Sequence, residues 1–466
     1  MISFCYNKFI FGGNKMQKIL CLLCALVIAV TVLPSGCFAA KNDKSEKVVL
    51  YGNKISVNAK QICFVKGEKG EYEYLDTMYD PSFKKYYYVG DNTVDIKAVA
   101  EKLPKLQNLV VIRADVSNIS YLSKLDDLVW LGLHQCSGSE ELSFLKKLTG
   151  LKKFRYTSTW ADKVCESIDP VSHLKNVTEL YLDVRASAIK DIAPLKGLKK
   201  LKTLELKNIG GDDAALIGSF KKLRSLSVTL TSERTDMSFL SKLDALETLD
   251  VSGNTVNLNA AAKTKMNRLR SLSVDSNDDD LSFIGSLALD ELSLSYVKSS
   301  FTDGMRNLAG LKTLRLMDIN NGRTYDMSFI KDLKSLENLF IMGCNDVRLF
   351  GNKSLKNVSI WLSEFTNMIN LKDCENIESL QIYNNNASFN VNWIEGMDIR
   401  ELSISDGSSC GIKNMQKLST LKKLKKLTLD FTGISDETAK AIKKALPKCG
   451  IEVCELGGGS YDIRKY

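Results

Sequence analysis

Histidine is nearly missing: only His134 and His173 occur in 466 residues. A Ser-His-Asp type triad or a zinc site with several imidazole ligands therefore has almost nothing to draw on. Glycine-rich phosphate loops are missing too, because Gly210-Gly211 and the glycines at 457–459 lack the flanking pattern that cradles a phosphate. The acidic run Asn277-Asp278-Asp279-Asp280 does not have the ligand spacing of a calcium loop and reads as a solvated turn. No catalytic constellation is left, so the chain is expected to be no enzyme and to need no cofactor or metal. From residue 106 to 446 no proline-, glycine- and serine-rich linker and no dense charge run separates the repeats, which excludes a string of domains on linkers there. Hydrophobic residues at 44% and charged residues at 26% exclude wholesale disorder. The net charge of +9 is spread over scattered lysines, as in Leu198-Lys199-Lys200-Leu201, without interleaved aromatics, so a nucleic-acid partner is not expected.

What the chain does have is a spacing. Leu201-Lys202-Thr203-Leu204-Glu205-Leu206 sets a Leu-x-x-Leu-x-Leu template that returns about fifteen times between Leu109 and Leu429, at steps averaging roughly 22 residues. Leu246, Leu249 and Val251 repeat it, as do Leu269, Leu272 and Val274, and Leu424, Leu427 and Leu429. Side chains alternate along a short strand, so the Leu positions face an interior and the x positions face out. Three positions beyond the last apolar template residue stand Asn254, Asn277 and Asn385, or Cys136, Thr231, Cys344 and Thr432, whose side chains can satisfy the backbone of the departing turn. The return half has its own signature: Asp191-Ile192-Ala193-Pro194-Leu195, Asp236-Met237-Ser238-Phe239-Leu240, Asp280-Leu281-Ser282-Phe283-Ile284 and Asp326-Met327-Ser328-Phe329-Ile330. A polar residue capping a tight turn ahead of apolar plugs predicts 3₁₀ or very short helices there.

These repeats are leucine-rich repeats. With their Asp-Ile-x-x-Leu return they resemble the internalin-type repeats of bacterial surface and secreted proteins. The resemblance implies an α/β leucine-rich repeat solenoid: a curved horseshoe with a parallel concave β-sheet and short 3₁₀ or helical convex segments. It also implies a concave face that binds another macromolecule, in adhesion or host contact. The chain departs from the family in having no Leu-Pro-x-Thr-Gly sorting motif after the repeats.

The expected organisation is a signal peptide over 1–40, a small β-rich N-terminal cap over 41–105, the solenoid over 106–446, and a C-terminal cap and tail over 447–466. Met16-Gln17-Lys18, the apolar run Ile19 to Leu33 and the small-residue end at Ala39-Ala40 carry the secretory signature. The run is short of the ~20 residues that a membrane helix needs. Cys37, in Leu33-Pro34-Ser35-Gly36-Cys37, is a candidate lipidation site, and a membrane contact is expected only if it is lipidated. Cys449 and Cys454 are near enough in sequence to suggest a disulfide.

Most outward positions are small or charged, as Thr203, Glu205, Ser225, Ser227, Ser271 and Ser273. Arg315, Met317, Phe340, Met342, Trp361, Gln381 and Tyr383 differ, and large apolar groups gathered on such a surface mark an interface. A smaller group, Arg113, Trp130, His134, Arg155 and Tyr181, lies near the first repeats. The expected function is capture of a protein or glycan ligand by an exported protein. The alternative is a lipid-anchored spacer of the cell envelope that associates with itself.

Overall fold

The structure is a computed structural model. It describes residues 46–68, 83, 85–158, 165, 167–184, 191–209, 214–231, 234–260, 268–275, 280–296, 302–317, 327–344, 347–348, 351–362, 369–371, 373–385, 389–407, 411–457 and 460–466. The proposed signal segment and Cys37 lie outside them. The chain divides into two compact units, residues 1–187 and 188–466.

The first unit opens with a hairpin, Lys47–Leu50 against Asn53–Ser56, turned at Tyr51 and Gly52 with φ of 51° and 75°. Two positive φ angles in a two-residue loop match the twist of paired strands. Gln61–Val65 then lies parallel between Tyr86–Tyr88 and Asn108–Ile112. Trp130–His134, Lys153–Thr157 and Glu179–Asp183 follow in order, each parallel to the last. The parallel sheet thus begins before residue 106, inside the segment read as a cap. A short helix, Ile96–Lys102, follows in this segment, and Asp95 caps it by accepting a bond from the Lys97 amide at 3.0 Å.

The second unit stacks Thr203–Ile209, Ser225–Leu230, Thr248–Ser252, Ser271–Asp275, Glu291–Ser295 and Thr313–Met317, each parallel to its predecessor. Asn338–Cys344, Asn357–Leu362, Ser379–Asn384, Glu401–Asp406, Lys426–Asp430 and Gly450–Gly457 continue the same sheet. Burial alternates as the pleat requires, with Leu204, Leu226, Leu249, Leu272, Leu314, Leu380 and Leu427 almost wholly enclosed. The return segments are 3₁₀ turns such as Ala193–Gly197, Ser238–Lys242 and Ser282–Ser286. Asp191, Asp236 and Asp280 each accept the amide two residues on, at 2.6, 2.9 and 2.9 Å, so the recurring aspartate does shape the turn. Ser282–Ser286 packs on the short helix Thr302–Met305 through Gly285 and Gly304, which meet backbone to backbone.

Two expectations at the C-terminus are corrected. The last residues are no tail: Ser460–Lys465 is a strand, antiparallel to Gly450–Gly457. Cys449 and Cys454 are both free thiols. The strand that starts at Gly450 carries them apart by about 3.3 Å per residue, roughly 16 Å over five steps, far beyond disulfide reach.

Candidate binding face

The parallel register of the second unit lines up one residue per repeat on the sheet's outward face, the concave face of a leucine-rich repeat. One row runs Ser252, Asp275, Ser295, Met317, Met342, Trp361, Tyr383, Ser405, Asp430, Cys454. The row beside it runs Asp250, Ser273, Ser293, Arg315, Phe340, Ser359, Gln381, Ser403, Thr428, Glu452. All seven residues proposed for the main patch are thus brought onto adjacent strands of one surface.

Upstream of the patch the polar groups satisfy one another. Ser227 and Ser252 donate to Asp250 and Asp275 at 2.9 and 3.0 Å, one repeat along. Arg315 sits 3.9 Å from the Glu291 carboxylate. Asn357 donates to the Asn338 side chain at 2.8 Å and so borders the patch. Within the patch Trp361 lies on Tyr383, ring centroids 4.3 Å apart at 33°, and Phe340 meets Trp361 at 6.4 Å and 56°. Such ring pairs contribute about 0.5–1.5 kcal/mol beyond their buried area.

Phe340 needs correcting. It is only 9% exposed, so it supports Trp361 from below and is not an open contact residue. Phe340→Leu is expected to lower stability by about 1 kcal/mol by thinning that support. Thermal unfolding read beside the wild type checks this, and an unchanged midpoint would show that the ring carries no packing load. Met317, Met342, Trp361, Gln381 and Tyr383 remain partly exposed.

The floor of the patch holds two polar atoms that are buried without a hydrogen-bond partner among the described residues: Ser359 Oγ and Trp361 Nε1. Leaving such groups unmade costs about 1–3 kcal/mol each. Sequence reading picked out neither. It also missed Asp430, whose carboxyl is half-buried two strands from Tyr383 in the same row. Burial, with Glu452 and Glu455 nearby, pushes that carboxyl up to about 6. One acid on one strand gives no sequence signal; its setting appears only when the last strands are stacked.

The secondary group in the first unit is largely closed. Trp130 and His134 are 6% and 3% exposed. Phe83 covers the Trp130 ring at 4.6 Å, and the Lys153 ammonium lies 4.2 Å from its centroid. Cys63, Val65, Val110 and Ile112 complete a small core on this face, with Tyr86 and Tyr88 packed against it. His134 sits 3.3 Å from the Thr157 hydroxyl and edge-on to Tyr181, over which Arg155 is placed at 5.7 Å. Arg113 donates to the Gln135 side chain at 3.1 Å. These residues are therefore a packed layer, and the reading of Trp130 and His134 as contact residues is withdrawn.

Among the described residues, no cluster of metal-ligating side chains occurs and no helix is long and apolar enough to cross a membrane. No family model matches the sequence, and no curated protein matches it. Solved structures do resemble it. A leucine-rich repeat protein of Leptospira interrogans aligns over 75% of this chain and 90% of its own length, at 20% identity and a TM-score of 0.50. An internalin of Listeria monocytogenes aligns over 70% and 81%, at 20% identity and a TM-score of 0.44. A second Listeria internalin domain, described as including a cysteine ladder, aligns over 71% and 70%, at 17% identity and a TM-score of 0.40. The first likeness establishes the leucine-rich repeat fold that the Leu spacing led us to expect.

Proposed function

We propose that this leucine-rich repeat protein is a non-enzymatic binding protein, exported to the cell surface or the medium, which holds a protein or glycan ligand on the concave face of its second unit. The observation that carries the reading is the row Met317, Met342, Trp361, Tyr383. It places large, partly exposed apolar side chains on a face that is otherwise serine, threonine, asparagine and charge. Apolar area left in water costs about 25 cal/mol per Å², and covering it is what an interface gains. Export rests on the segment from Met16 to Ala40.

The test is chemical cross-linking in the native environment followed by affinity recovery of the tagged chain. Trp361→Ala is expected to lower partner recovery by about tenfold or more, as removal of a central aromatic anchor does. Its unfolding should stay cooperative, with the midpoint lowered by the loss of the ring contacts to Phe340 and Tyr383, so recovery is compared at a temperature where both proteins are folded. A control on the far side of the coil, Lys331→Ala, should recover the partner fully. Equal recovery with Trp361→Ala would remove this face as the site.

A further inference from the structure

The tryptophan row does not end in neutral surface. Beyond Tyr383 comes the small Ser405, and then Asp430. The Asp430 carboxylate has no ion-pair or hydrogen-bond partner among the described residues, and the charged groups around it are mostly of its own sign. The strand on one side contributes Ser403 and Ser405; the strand on the other contributes Glu452, Cys454 and Glu455. The last strand adds Asp462 and Lys465, and Lys465 faces Glu452 in the register without pairing with it at ion-pair distance. Glu455 is engaged by the Gly433 amide at 3.2 Å. A half-buried carboxylate next to other carboxylates is complementary to one thing, a cation brought from outside.

At the other end of the row, Ser359 Oγ and Trp361 Nε1 sit in the floor with no acceptor. Ser359 is 7% exposed, so water does not readily serve it. An indole N–H only donates, and a hydroxyl can donate. Both donors belong to the strand at the centre of the apolar row, and a backbone carbonyl of a ligand that displaced the Trp361 ring would satisfy groups that water does not.

Resting on the function proposed above, we propose that the occupant of this face is an extended peptide segment that sets an aromatic or large aliphatic side chain on Trp361 and Tyr383 and a lysine or arginine against Asp430 and Glu452. The spacing between the two follows from the sheet. Neighbouring strands lie about 4.8 Å apart, so Asp430 is about 10 Å from Tyr383 and about 14 Å from Trp361 along the row. An extended chain advances about 3.3 Å per residue, which places the basic residue three or four positions from the apolar one.

A random dodecapeptide phage library panned on the full chain, with counter-selection on Trp361→Ala, tests this directly. The expected result is enrichment of sequences with Lys or Arg three or four residues from an aromatic or large aliphatic residue. Synthetic peptides of that pattern should lose about tenfold or more in affinity for Asp430→Asn, with a parallel loss for Glu452→Gln as a second, near-isosteric variant. Their affinity for the wild type should also fall as the pH is lowered from 7.5 to 5, because Asp430 takes up its proton near pH 6 and the cation loses its counter-charge. Trp361-dependent peptides with no basic residue at that spacing, or with equal affinity for both charge variants, would overturn the inference and leave the binding face standing. Selection of no Trp361-dependent peptide, or binding only to a glycan array, would overturn the peptide occupant; the face itself falls only if recovery with Trp361→Ala equals the wild type's in the cross-linking test above.

Discussion

Leu249→Ala is expected to cost about 2–5 kcal/mol. Leu249 is fully enclosed, in register between Leu226 and Leu272 on neighbouring strands. Its side chain fills the coil of its own repeat and is gripped from both sides, so truncation leaves a cavity that three repeats must collapse to close. In a stacked array each repeat is stabilised chiefly by its neighbours, and a fault at one position weakens two interfaces. Denaturant unfolding of the full chain should show the midpoint falling. The neighbouring Thr248→Ala, on the outward face, should stay within about 0.5 kcal/mol of the wild type. Equal effects of the two would mean that the Leu spacing does not define the interior.

Gly285→Ala is expected to be comparably severe, by a different route. A Cβ at Gly285 would stand 2.3 Å from the Gly304 carbonyl oxygen and 2.6 Å from its Cα. No rotamer relieves that contact, because both obstructing atoms are backbone. The 3₁₀ turn Ser282–Ser286 and the helix Thr302–Met305 would have to separate. Overpacking of this kind costs about 3 kcal/mol. Gly310→Ala is the control, since a Cβ there meets nothing within 4 Å. A Gly285→Ala protein with the wild-type thermal midpoint would show that the two segments part freely.

The coil was legible in the sequence because both of its periods are local. Leu204 and Leu206 alternate with Thr203 and Glu205 in a strand, and Asp236 makes its turn with Ser238 two residues away. The outward face was legible for the same reason: the strand alternation alone assigns Met317, Met342, Trp361 and Tyr383 to it. Exposure was not legible, because it depends on residues distant in the chain. Trp130 has the same position in its repeat as many outward residues, yet it is covered by Phe83, 47 residues earlier. Phe340 is enclosed although its position points outward, with the Trp361 ring of the next strand among its neighbours. Ser460–Lys465 followed glycines and looked solvated, but the free edge of Gly450–Gly457 offered it hydrogen bonds. Asp430 gains its character first from burial and then from Glu452 and Glu455, on a strand that the repeat template does not describe.

The unbroken register from Met317 to Asp430 also makes the sheet a measuring device. Each repeat contributes one graduation of about 4.8 Å. The repeat bearing Ser405 sits between the aromatic row and the carboxylate as a spacer and offers neither contact. Gaining or losing such a repeat moves the two anchors relative to each other by a fixed increment, while every interface between repeats stays lined by Leu. If the proposed face holds its ligand as inferred above, copy number becomes a second and independent code for ligand choice: side chains would decide what is recognised, and the count of repeats between them how far apart its parts must be.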